Sequence, residues 1–334
     1  MRVVVVGDGI VGAACARALG DRGADVVVLG DGAAAASEAS FGWINAAWGN
    51  RPDYARLRMA AMRDWRALDL GDAGPRWCGS LSWDLPEDAL AEAARVQPGW
   101  GYDVRLVGDA GSEEPLLRAP PPRALLAPAE GHVEPGAAAR ALLGDLPRIR
   151  GRAVAVERGV RLADGSRVAA DHVVLASGAG VPALAETVGA ALPWSAPPGL
   201  LIRTGPVAAR LRRMIVAPDC HVRQRPDGSL LAGSDFGGAD PGADAAAVAR
   251  DLLGRVNALL AVEAGLDGWT VGRRPVPGDG HPVVGPLAEG VWVAFAHSGA
   301  TLAPALGRIV AEGVLEGRVD PLAAPFGAER FAAA

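Results

Sequence analysis

The 334-residue sequence contains no lysine, so each of its 33 basic side chains is an arginine. This absence excludes enzymes that hold a substrate or pyridoxal phosphate as a lysine Schiff base, and it excludes the P-loop, whose motif requires lysine. The 38 acidic residues bring the formal net charge to −5, and no basic run is present. We therefore expect no nucleic-acid partner, because binding to phosphates depends on clustered positive charge.

Cysteine and histidine are also scarce. The three cysteines, Cys15, Cys78 and Cys220, form no CxxC pair, which argues against a zinc knuckle and a disulfide framework. The five histidines never occur at metal-ligand spacing, and no GxSxG nucleophile motif is present. We therefore expect no metal site, and we expect a bound organic cofactor to carry the chemistry.

Long apolar runs are missing, although 50% of the residues are hydrophobic. The N-terminal run Val3–Val6 is interrupted by Asp8 and by glycines, unlike a secretory signal, and no later stretch reaches 18 apolar residues. The sequence thus predicts a cytoplasmic protein without a membrane span.

The N-terminal segment has the pattern of a dinucleotide-binding unit. The strand Val3–Val6 is followed by Gly7-Asp8-Gly9-Ile10-Val11-Gly12, by a helical stretch and by a second strand, Val26–Leu29. In the GxGxxG fingerprint, the first glycine permits a tight turn, the second lets a pyrophosphate approach, and the third lets the helix pack on the strand. The N–H groups at the helix N-terminus then bind phosphate.

The acidic residue that the fingerprint places at the end of the second strand is displaced by one position. Gly30 stands there, and Asp31 follows it. Two interpretations remain open. Asp31 contacts the ribose 2′-hydroxyl after a small shift of the loop, or it is a solvated turn residue and the ribose is held more weakly.

The rest of the chain alternates between elements that fit one parallel sheet and antiparallel insertions. We predict helices near 51–70, 136–143, 243–261 and 302–315, a buried strand at Val173–Ala176, and short strands and loops in 76–130. The fold class is α/β, with a Rossmann-like domain interleaved with a smaller, mainly antiparallel β domain. We assign 1–75, 131–195 and 270–334 to the first domain, and 76–130 and 196–269 to the second.

Three segments carry a more specific pattern. They are the N-terminal fingerprint, the strand and turn at 173–178, and a C-terminal stretch that runs from Gly272-Arg273-Arg274-Pro275 through Asp279-Gly280-His281-Pro282 to His297-Ser298-Gly299-Ala300-Thr301-Leu302. Together they resemble the D-amino-acid oxidase/glycine oxidase superfamily of FAD-dependent oxidoreductases, over nearly the whole chain. The resemblance implies an FAD-binding domain with a separate substrate domain.

The resemblance also implies roles for individual residues. Arg274 occupies the family's GxRP position and would bind the substrate carboxylate, for which a planar guanidinium is suited; the alternative is an ion pair with Asp279. His297 is either a catalytic residue that tunes the flavin or a hydrogen-bonded loop residue. The implied FAD contacts are Gly7, Gly9, Ile10, Val11, Gly12, Asp31, Ser37, Ser40, Val154, Ser177, Gly178, Gly299, Ala300, Thr301 and Leu302.

Four further residues are candidates for the substrate side of the site. Trp43 and Trp48 would either line the pocket or pack in the core, and His221 and Arg223 are weaker pocket candidates. Relatives that tether the flavin covalently use a cysteine in the C-terminal region, and this chain has none after Cys220. The implied cofactor is therefore non-covalent FAD.

The implied activity is oxidation of the C–N bond of an amine or amino acid to an imine, by hydride transfer to flavin N5. Oxygen or another acceptor would reoxidise the flavin. Because the cofactor carries the hard step, the absence of a recognisable acid–base pair fits this activity. Two alternatives remain: an NAD-dependent dehydrogenase, which shares the fingerprint, and a non-catalytic flavin-binding or partner subunit of a larger dehydrogenase.

Overall fold

The computed structural model describes residues 1–32, 35–46, 50–234, 240–242 and 244–332. The chain divides into two compact units, each assembled from separate segments. Unit 1 comprises Met1–Gly74, Val133–Ala196 and Arg274–Ala334, and unit 2 comprises Pro75–His132 and Pro197–Arg273. What each unit binds stays a prediction.

The secondary structure is numbered in chain order. The strands are β1 (Arg2–Val6), β2 (Asp25–Gly30), β3 (Trp43–Ile44), β4 (Ser80–Ser82), β5 (Arg105–Val107), β6 (Ala124–Ala127), β7 (Gly131–His132), β8 (Arg148–Arg150), β9 (Ala153–Glu157), β10 (Gly159–Leu162), β11 (Arg167–Val168), β12 (His172–Leu175), β13 (Trp194–Ser195), β14 (Pro198–Pro206), β15 (Met214–Val216), β16 (His221–Gln224), β17 (Ser229–Gly233), β18 (Leu266–Arg273), β19 (Val276–Pro277), β20 (Val283–Ala288) and β21 (Val291–Phe295). The α-helices are α1 (Ile10–Gly20), α2 (Ala35–Glu38), α3 (Pro52–Ala67), α4 (Glu87–Val96), α5 (Ala110–Glu113), α6 (Pro135–Leu143), α7 (Val181–Glu186), α8 (Ala245–Leu259) and α9 (Gly299–Glu316). The 3-10 helices span Gly71–Ala73, Gln97–Trp100, Gly178–Gly180, Ala324–Phe326 and Ala328–Phe331.

A mixed sheet in the order β20-β21-β12-β1-β2-β8 forms the centre of unit 1. The strands from β21 to β8 are parallel, and β20 is antiparallel to β21. Val6 of β1 is in register with Leu175 on one side and Leu29 on the other, so three strands end at the same level. In open α/β sheets, ligands bind outside the carboxyl ends of the strands, so we expect a ligand site at this edge.

The strands of this sheet are continuous apolar runs because helices and loops cover both faces. Val3–Val6 are at most 3% exposed, as expected for a parallel sheet. Helix α9 packs against α1 and α3. Pro304, inside α9, has no N–H to donate to Ala300 O, and the indole Nε1 of Trp65 donates there instead, at 3.0 Å. The proline thus gives α3 an anchor on the first turn of α9.

Unit 2 is built on a sheet in the order β18-β14-β17-β16-β15-β4-β6-β5. Its neighbouring strands are antiparallel, apart from β15 and β4, which are parallel. Helix α8 buries Ala249, Leu252 and Val256 in the hydrophobic core of this unit. The predicted α/β class and the mainly antiparallel second domain agree with this architecture. The prediction of only strands and loops in 76–130 is wrong, because α4 lies there.

Candidate functional site

The turn after β1 is one that only glycine permits. Gly7 has a φ of +123°, and a Cβ on it would lie 2.4 Å from the carbonyl oxygen of Ala176, at the end of β12. Gly12 of α1 approaches the same turn so closely that a Cβ on it would lie 2.0 Å from Gly7 O. The first and third glycines of the fingerprint therefore have the packing roles that the sequence predicts for them.

The N-terminus of α1 opens above this turn with unused donors. The N–H of Ile10 donates to Ser37 Oγ at 3.0 Å, whereas those of Val11 and Gly12 have no acceptor in the described part of the chain. A Cβ on Gly9 would have only Ser37 Oγ within 4 Å among the described residues. No acidic side chain lies in the first turn of α1. Open N–H groups at the positive end of a helix dipole favour an anion.

The turn after β12 brings a buried hydroxyl to the same edge of the sheet. Ser177 follows β12, and its Cα would lie 2.8 Å from a Cβ on Gly7. Ser177 Oγ is buried and has no hydrogen-bond partner among the residues that the structure describes. Gly178, next in the turn, has a φ of +57°. Buried hydroxyls in proteins are nearly always hydrogen-bonded to protein, water or ligand, so this one is available to a water or to a polar ligand atom.

The N-terminus of α9 lies beside that of α1. A Cβ on Gly299 would lie 3.1 Å from Val11 Cγ2. The N–H groups of Thr301 and Leu302 both donate to Ser298 O, at 3.1 and 3.0 Å, whereas those of Gly299 and Ala300 have no acceptor within the described ranges. No acidic side chain lies in the first turn of α9 either. Two helix N-termini with open donors therefore adjoin at one edge of unit 1.

The side chain of Thr301 belongs to a buried polar network. Its Oγ1 donates to Trp43 O at 3.0 Å and accepts from Arg58 Nη2 at 3.3 Å. Arg58, only 4% exposed, also donates to Asn45 O at 2.9 Å, to Asn45 Oδ1 at 2.7 Å and to Tyr54 Oη at 3.1 Å. The hydroxyl of Thr301 thus fixes the segment around β3 to α9 and α3, a role that the sequence analysis did not foresee.

Arg274, His297 and Arg58 form what we call the cationic corner of unit 1. His297 lies in the turn between β21 and α9, and its Nδ1 is 3.3 Å from Ser298 Oγ. Burial lowers the pKa of His297 to about 4, with smaller contributions from the charges of Arg274 and Arg58. The imidazole is therefore neutral near pH 7. Arg274 is half-buried, whereas its neighbour Arg273 is exposed.

The carboxylate of Asp279 forms an ion pair with Arg330. Arg330 Nε and Nη2 donate to the carboxylate of Asp279 at 2.9 and 3.2 Å. Burial alone would raise the pKa of Asp279, but the hydrogen bond from Arg330 and the interaction with His281 bring it below its usual value. The ion pair with Arg330 accounts for Asp279, and the alternative that pairs Arg274 with an acid stays a prediction.

The other residues predicted to contact the cofactor or the substrate differ in their exposure to solvent. Asp31 is exposed, and Val154 is half-buried on β9. Ser40 Oγ accepts a hydrogen bond from Gly42 N at 3.1 Å and closes a local turn. Trp43 is buried at 9% exposure, and Trp48 lies outside the described residues.

In unit 2, His221 and Arg223 are 3% and 0% exposed. Arg223 Nη1 lies 3.2 Å from Nδ1 of His132. Burial, followed by the charges of Arg223 and Arg76, lowers the pKa of His132 to about 3, so its ring is neutral and accepts this hydrogen bond. A cavity of about 550 Å³ is lined by His132 but not by His221 or Arg223.

Within the described residues, no group of three His, Cys, Asp or Glu side chains is placed to hold a metal ion. In the same residues, no helix is long and apolar enough to cross a membrane.

Comparison with known proteins defines the class. Residues 2–313 match the DAO family, described as FAD dependent oxidoreductase. The chain therefore belongs to the DAO family of FAD-dependent oxidoreductases. Its dinucleotide is FAD and the protein is an enzyme, which decides against an NAD-dependent dehydrogenase and against a non-catalytic flavin-binding subunit.

Individual relatives narrow the comparison. The chain is 28% identical to glycine oxidase from Pseudomonas putida, over 91% of this chain and 92% of that protein. The crystal structure of glycine oxidase from Geobacillus kaustophilus superimposes with a TM-score of 0.83 at 25% identity, over 98% of this chain and 99% of that one. An L-amino acid deaminase from Proteus vulgaris, lacking its specific insertion, shares the fold with a TM-score of 0.87 at 18% identity, over 98% and 93% of the two chains.

The residues of unit 1 fit FAD. The pyrophosphate of a dinucleotide binds at a helix N-terminus with free N–H groups, and it needs a glycine there so that no side chain blocks its approach. The N-terminus of α1 supplies the N–H groups, and Gly9 leaves the approach open. The buried hydroxyl of Ser177 lies beside the same turn. The open N–H groups of Gly299 and Ala300 are likewise suited to bind an electron-rich part of the cofactor.

Arg58 and Asn45 belong to the buried network beside the candidate site, and the sequence analysis does not predict them. Arg58 falls in the apolar stripe of α3, between Leu57 and Ala61. A charged residue in such a stripe indicates a buried polar network, so the signal was present in the helical periodicity. The partner in α9 was not accessible from the sequence, because Thr301 lies 243 residues further along the chain.

Proposed function

We propose that this protein oxidises the C–N bond of an amine or amino acid to an imine, with non-covalently bound FAD as the electron acceptor. The observation that carries the proposal is the cationic corner, in which the charges of Arg274 and Arg58 act on His297, two residues before α9 begins. A guanidinium there suits a carboxylate, and the open donors at the start of α9 suit an electron-rich ring.

We assign the FAD pyrophosphate to the N-terminus of α1. Val11 and Gly12 supply open N–H donors there, and Gly9 leaves the approach clear. Ser177 and Gly178 would complete this end of the site. In this assignment unit 1 is the FAD-binding domain and unit 2 is the substrate domain.

The cysteines support non-covalent binding. Burial raises the pKa of Cys15 to about 12, and burial, with the charge of Asp219, raises that of Cys220 to about 11. Burial is also the main reason that the pKa of Cys78 is raised. Because the thiolate is the nucleophilic form, buried thiols of this kind are poor candidates for a flavin link.

Arg274 would bind the substrate carboxylate and orient the α-carbon. The positive charges of Arg274 and Arg58 would also lower the pKa of a substrate ammonium group held nearby, which favours the neutral amine. His297, neutral near pH 7, adds no charge of its own and is able to accept a hydrogen bond from that amine.

When bound, FAD supplies a two-electron acceptor for the hydride that leaves the α-carbon. The N–H groups of Gly299 and Ala300 would stabilise negative charge at the pyrimidine end of the cofactor, because they are fixed donors at a helix N-terminus. Oxygen or another acceptor would then take up the electrons.

The relatives support an amino acid as the substrate. The proteins from Pseudomonas putida and Geobacillus kaustophilus are named for glycine, and the protein from Proteus vulgaris for L-amino acids. The predicted cytoplasmic location stays a prediction.

Arg274→Ala tests the substrate half of this proposal, with Arg273→Ala, at the exposed neighbouring position, as the matched control. Anaerobic bleaching of the flavin would be followed with glycine and with a primary amine that lacks a carboxylate. Losing a bidentate charged contact costs roughly 3–5 kcal/mol, which is on the order of a hundredfold or more in turnover efficiency with the amino acid. The amine should be nearly indifferent, and Arg274→Lys should restore little, because a point charge cannot replace the fork.

Bleaching of Arg274→Ala by glycine at the wild-type rate would refute the assignment of Arg274 to a substrate carboxylate. A variant that loses its flavin along with its activity would show that Arg274 is structural. No bleaching of the wild type by any amine or amino acid would refute the C–N oxidation itself.

A further inference from the structure

A carboxylate lies at the end of β2, although the residue at the fingerprint's acidic position there is Gly30. A Cβ on Gly30 would lie 2.4 Å from both Cγ and Oδ2 of Asp8. Distances below 3 Å are not compatible with a real side chain, so the Asp8 carboxylate fills the space that a side chain at position 30 would use. The absence of a side chain on Gly30 leaves this space to Asp8.

Asp8 is also held in that place. Its Oδ2 accepts a hydrogen bond from the N–H of Gly32 at 3.0 Å, in the loop that follows β2. The other carboxylate oxygen, Oδ1, has no partner among the described residues, and Asp8 is only half-buried. Asp31, by contrast, is exposed. The oriented carboxylate at the end of β2 is therefore that of Asp8.

We propose that Asp8 is the ribose-binding carboxylate of the FAD site, and that it replaces the acidic residue normally carried by position 30. In the dinucleotide-binding fold, that residue accepts a hydrogen bond from the ribose 2′-hydroxyl of the adenosine half. Here the acid comes from inside the GxGxxG turn, and Gly30 makes room for it. The inference deepens the proposed FAD site and assigns Asp31 to the solvent-exposed loop.

The pairing of positions 8 and 30 makes the proposal directly testable. An acid at position 30 and Asp8 would occupy one volume with two like charges, so only one of them is compatible with the fold. Gly30→Glu should therefore disrupt the site while Asp8 is present. The same change in an Asp8→Ala background should move the carboxylate back to the fingerprint position.

The measurement is competition with FAD for the apoprotein by ADP and by 2′-deoxy-ADP, which differ only in the 2′-hydroxyl. A hydrogen bond to a charged group contributes enough for wild type to prefer ADP by about tenfold or more. Asp8→Ala should bring this ratio close to one, and Asp8→Ala with Gly30→Glu should restore it. Asp31→Ala, the matched control one residue after Gly30, should keep the wild-type ratio.

Thermal unfolding of each apoprotein separates a loss of binding from a loss of fold. Asp8→Asn serves as the second variant, because its amide oxygen keeps the volume and the contact with Gly32 N. We expect Asp8→Asn to fold like wild type and to show a reduced preference for ADP. If Asp8 only held the loop through Gly32 N, the preference for ADP would not change.

Equal binding of ADP and 2′-deoxy-ADP by wild type would overturn the proposal without any variant. A ratio that survives Asp8→Ala but is lost in Asp31→Ala would overturn it in favour of Asp31. Wild type that binds neither FAD nor ADP would overturn the proposed cofactor site as a whole, and is distinct from both results.

Discussion

Replacing Arg58 with methionine tests the buried network that fixes β3 to α3 and α9. Arg58 makes hydrogen bonds to Asn45, Thr301 and Tyr54, and all the acceptors are neutral oxygens. Methionine keeps most of the volume but supplies no donor. The change therefore leaves two oxygens of Asn45 without their donor in a buried environment.

The magnitude follows from these contacts. Each buried acceptor left unsatisfied costs about 1–3 kcal/mol. Removing the cation also removes the cost of burying it, which offsets part of the loss. We expect the free energy of unfolding of Arg58→Met to be roughly 2–4 kcal/mol below that of wild type, measured by urea denaturation of the apoprotein. Arg56→Met, an exposed position on the same helix, should change it by less than about 0.5 kcal/mol.

A second measurement reports on the cationic corner rather than on stability. Because the charge of Arg58 helps to lower the pKa of His297, the pKa should rise above about 4 in Arg58→Met, as followed by NMR titration of the imidazole. It should stay below the ordinary value of 6.5, since burial is the larger cause. An Arg58→Met protein that unfolds at the urea midpoint of Arg56→Met, with an unchanged His297, would refute the reasoning.

Further predictions concern the cofactor and pH. Gly9→Val should abolish FAD retention, because a branched side chain would fill the approach to α1; a purified variant with full flavin occupancy would contradict this placement. Denaturation in acid or guanidinium should release all flavin into the supernatant, and flavin that precipitates with the chain would reveal a covalent link. Lowering the pH from 7 to 4 should destabilise the protein, because unfolded His297 takes up a proton near pH 6.5 and folded His297 does so only near 4. The difference is roughly 3 kcal/mol. His297→Gln should show a correspondingly flatter dependence of the urea midpoint on pH, and an identical slope would show that His297 is not the group responsible.

The parts of the fold that the sequence predicts well are those fixed by local chemistry. The run from Gly7 to Gly12 specifies its own turn, because the close contacts it requires lie within a few residues or at the end of a neighbouring strand. The helix predicted at 243–261 is observed as Ala245–Leu259, since its apolar residues recur at helical spacing. Helix α4 is not predicted, although its apolar and charged residues do separate at helical spacing and its first turn is acidic. Only Leu90 of this helix is buried, so the signal was present in the pattern of the residues rather than in a long apolar run.

The candidate site is less accessible from the sequence because its contacts are long-range. Arg330 forms an ion pair with Asp279 from 51 residues away, a partner that sequence proximity does not suggest. The carboxylate of Asp8 reaches β2 only because the turn folds back beside Gly30, a matter of backbone path rather than of residue type. A sequence motif indicates where a ligand is expected to bind. It does not indicate which side chains from distant parts of the chain contact one another around that position.

The order of strands in unit 1 has a consequence for biosynthesis. Strand β1 is made before its neighbour β12, which begins at His172, and β21 and α9 follow more than a hundred residues later. When the glycine turn leaves the ribosome, only one part of the proposed FAD site has been made, and the other parts are made much later. Pairings so distant in sequence form slowly. We therefore expect flavin to bind only after β21 and α9 have been made, so that the cellular supply of FAD would govern how long the apoprotein stays exposed to proteolysis.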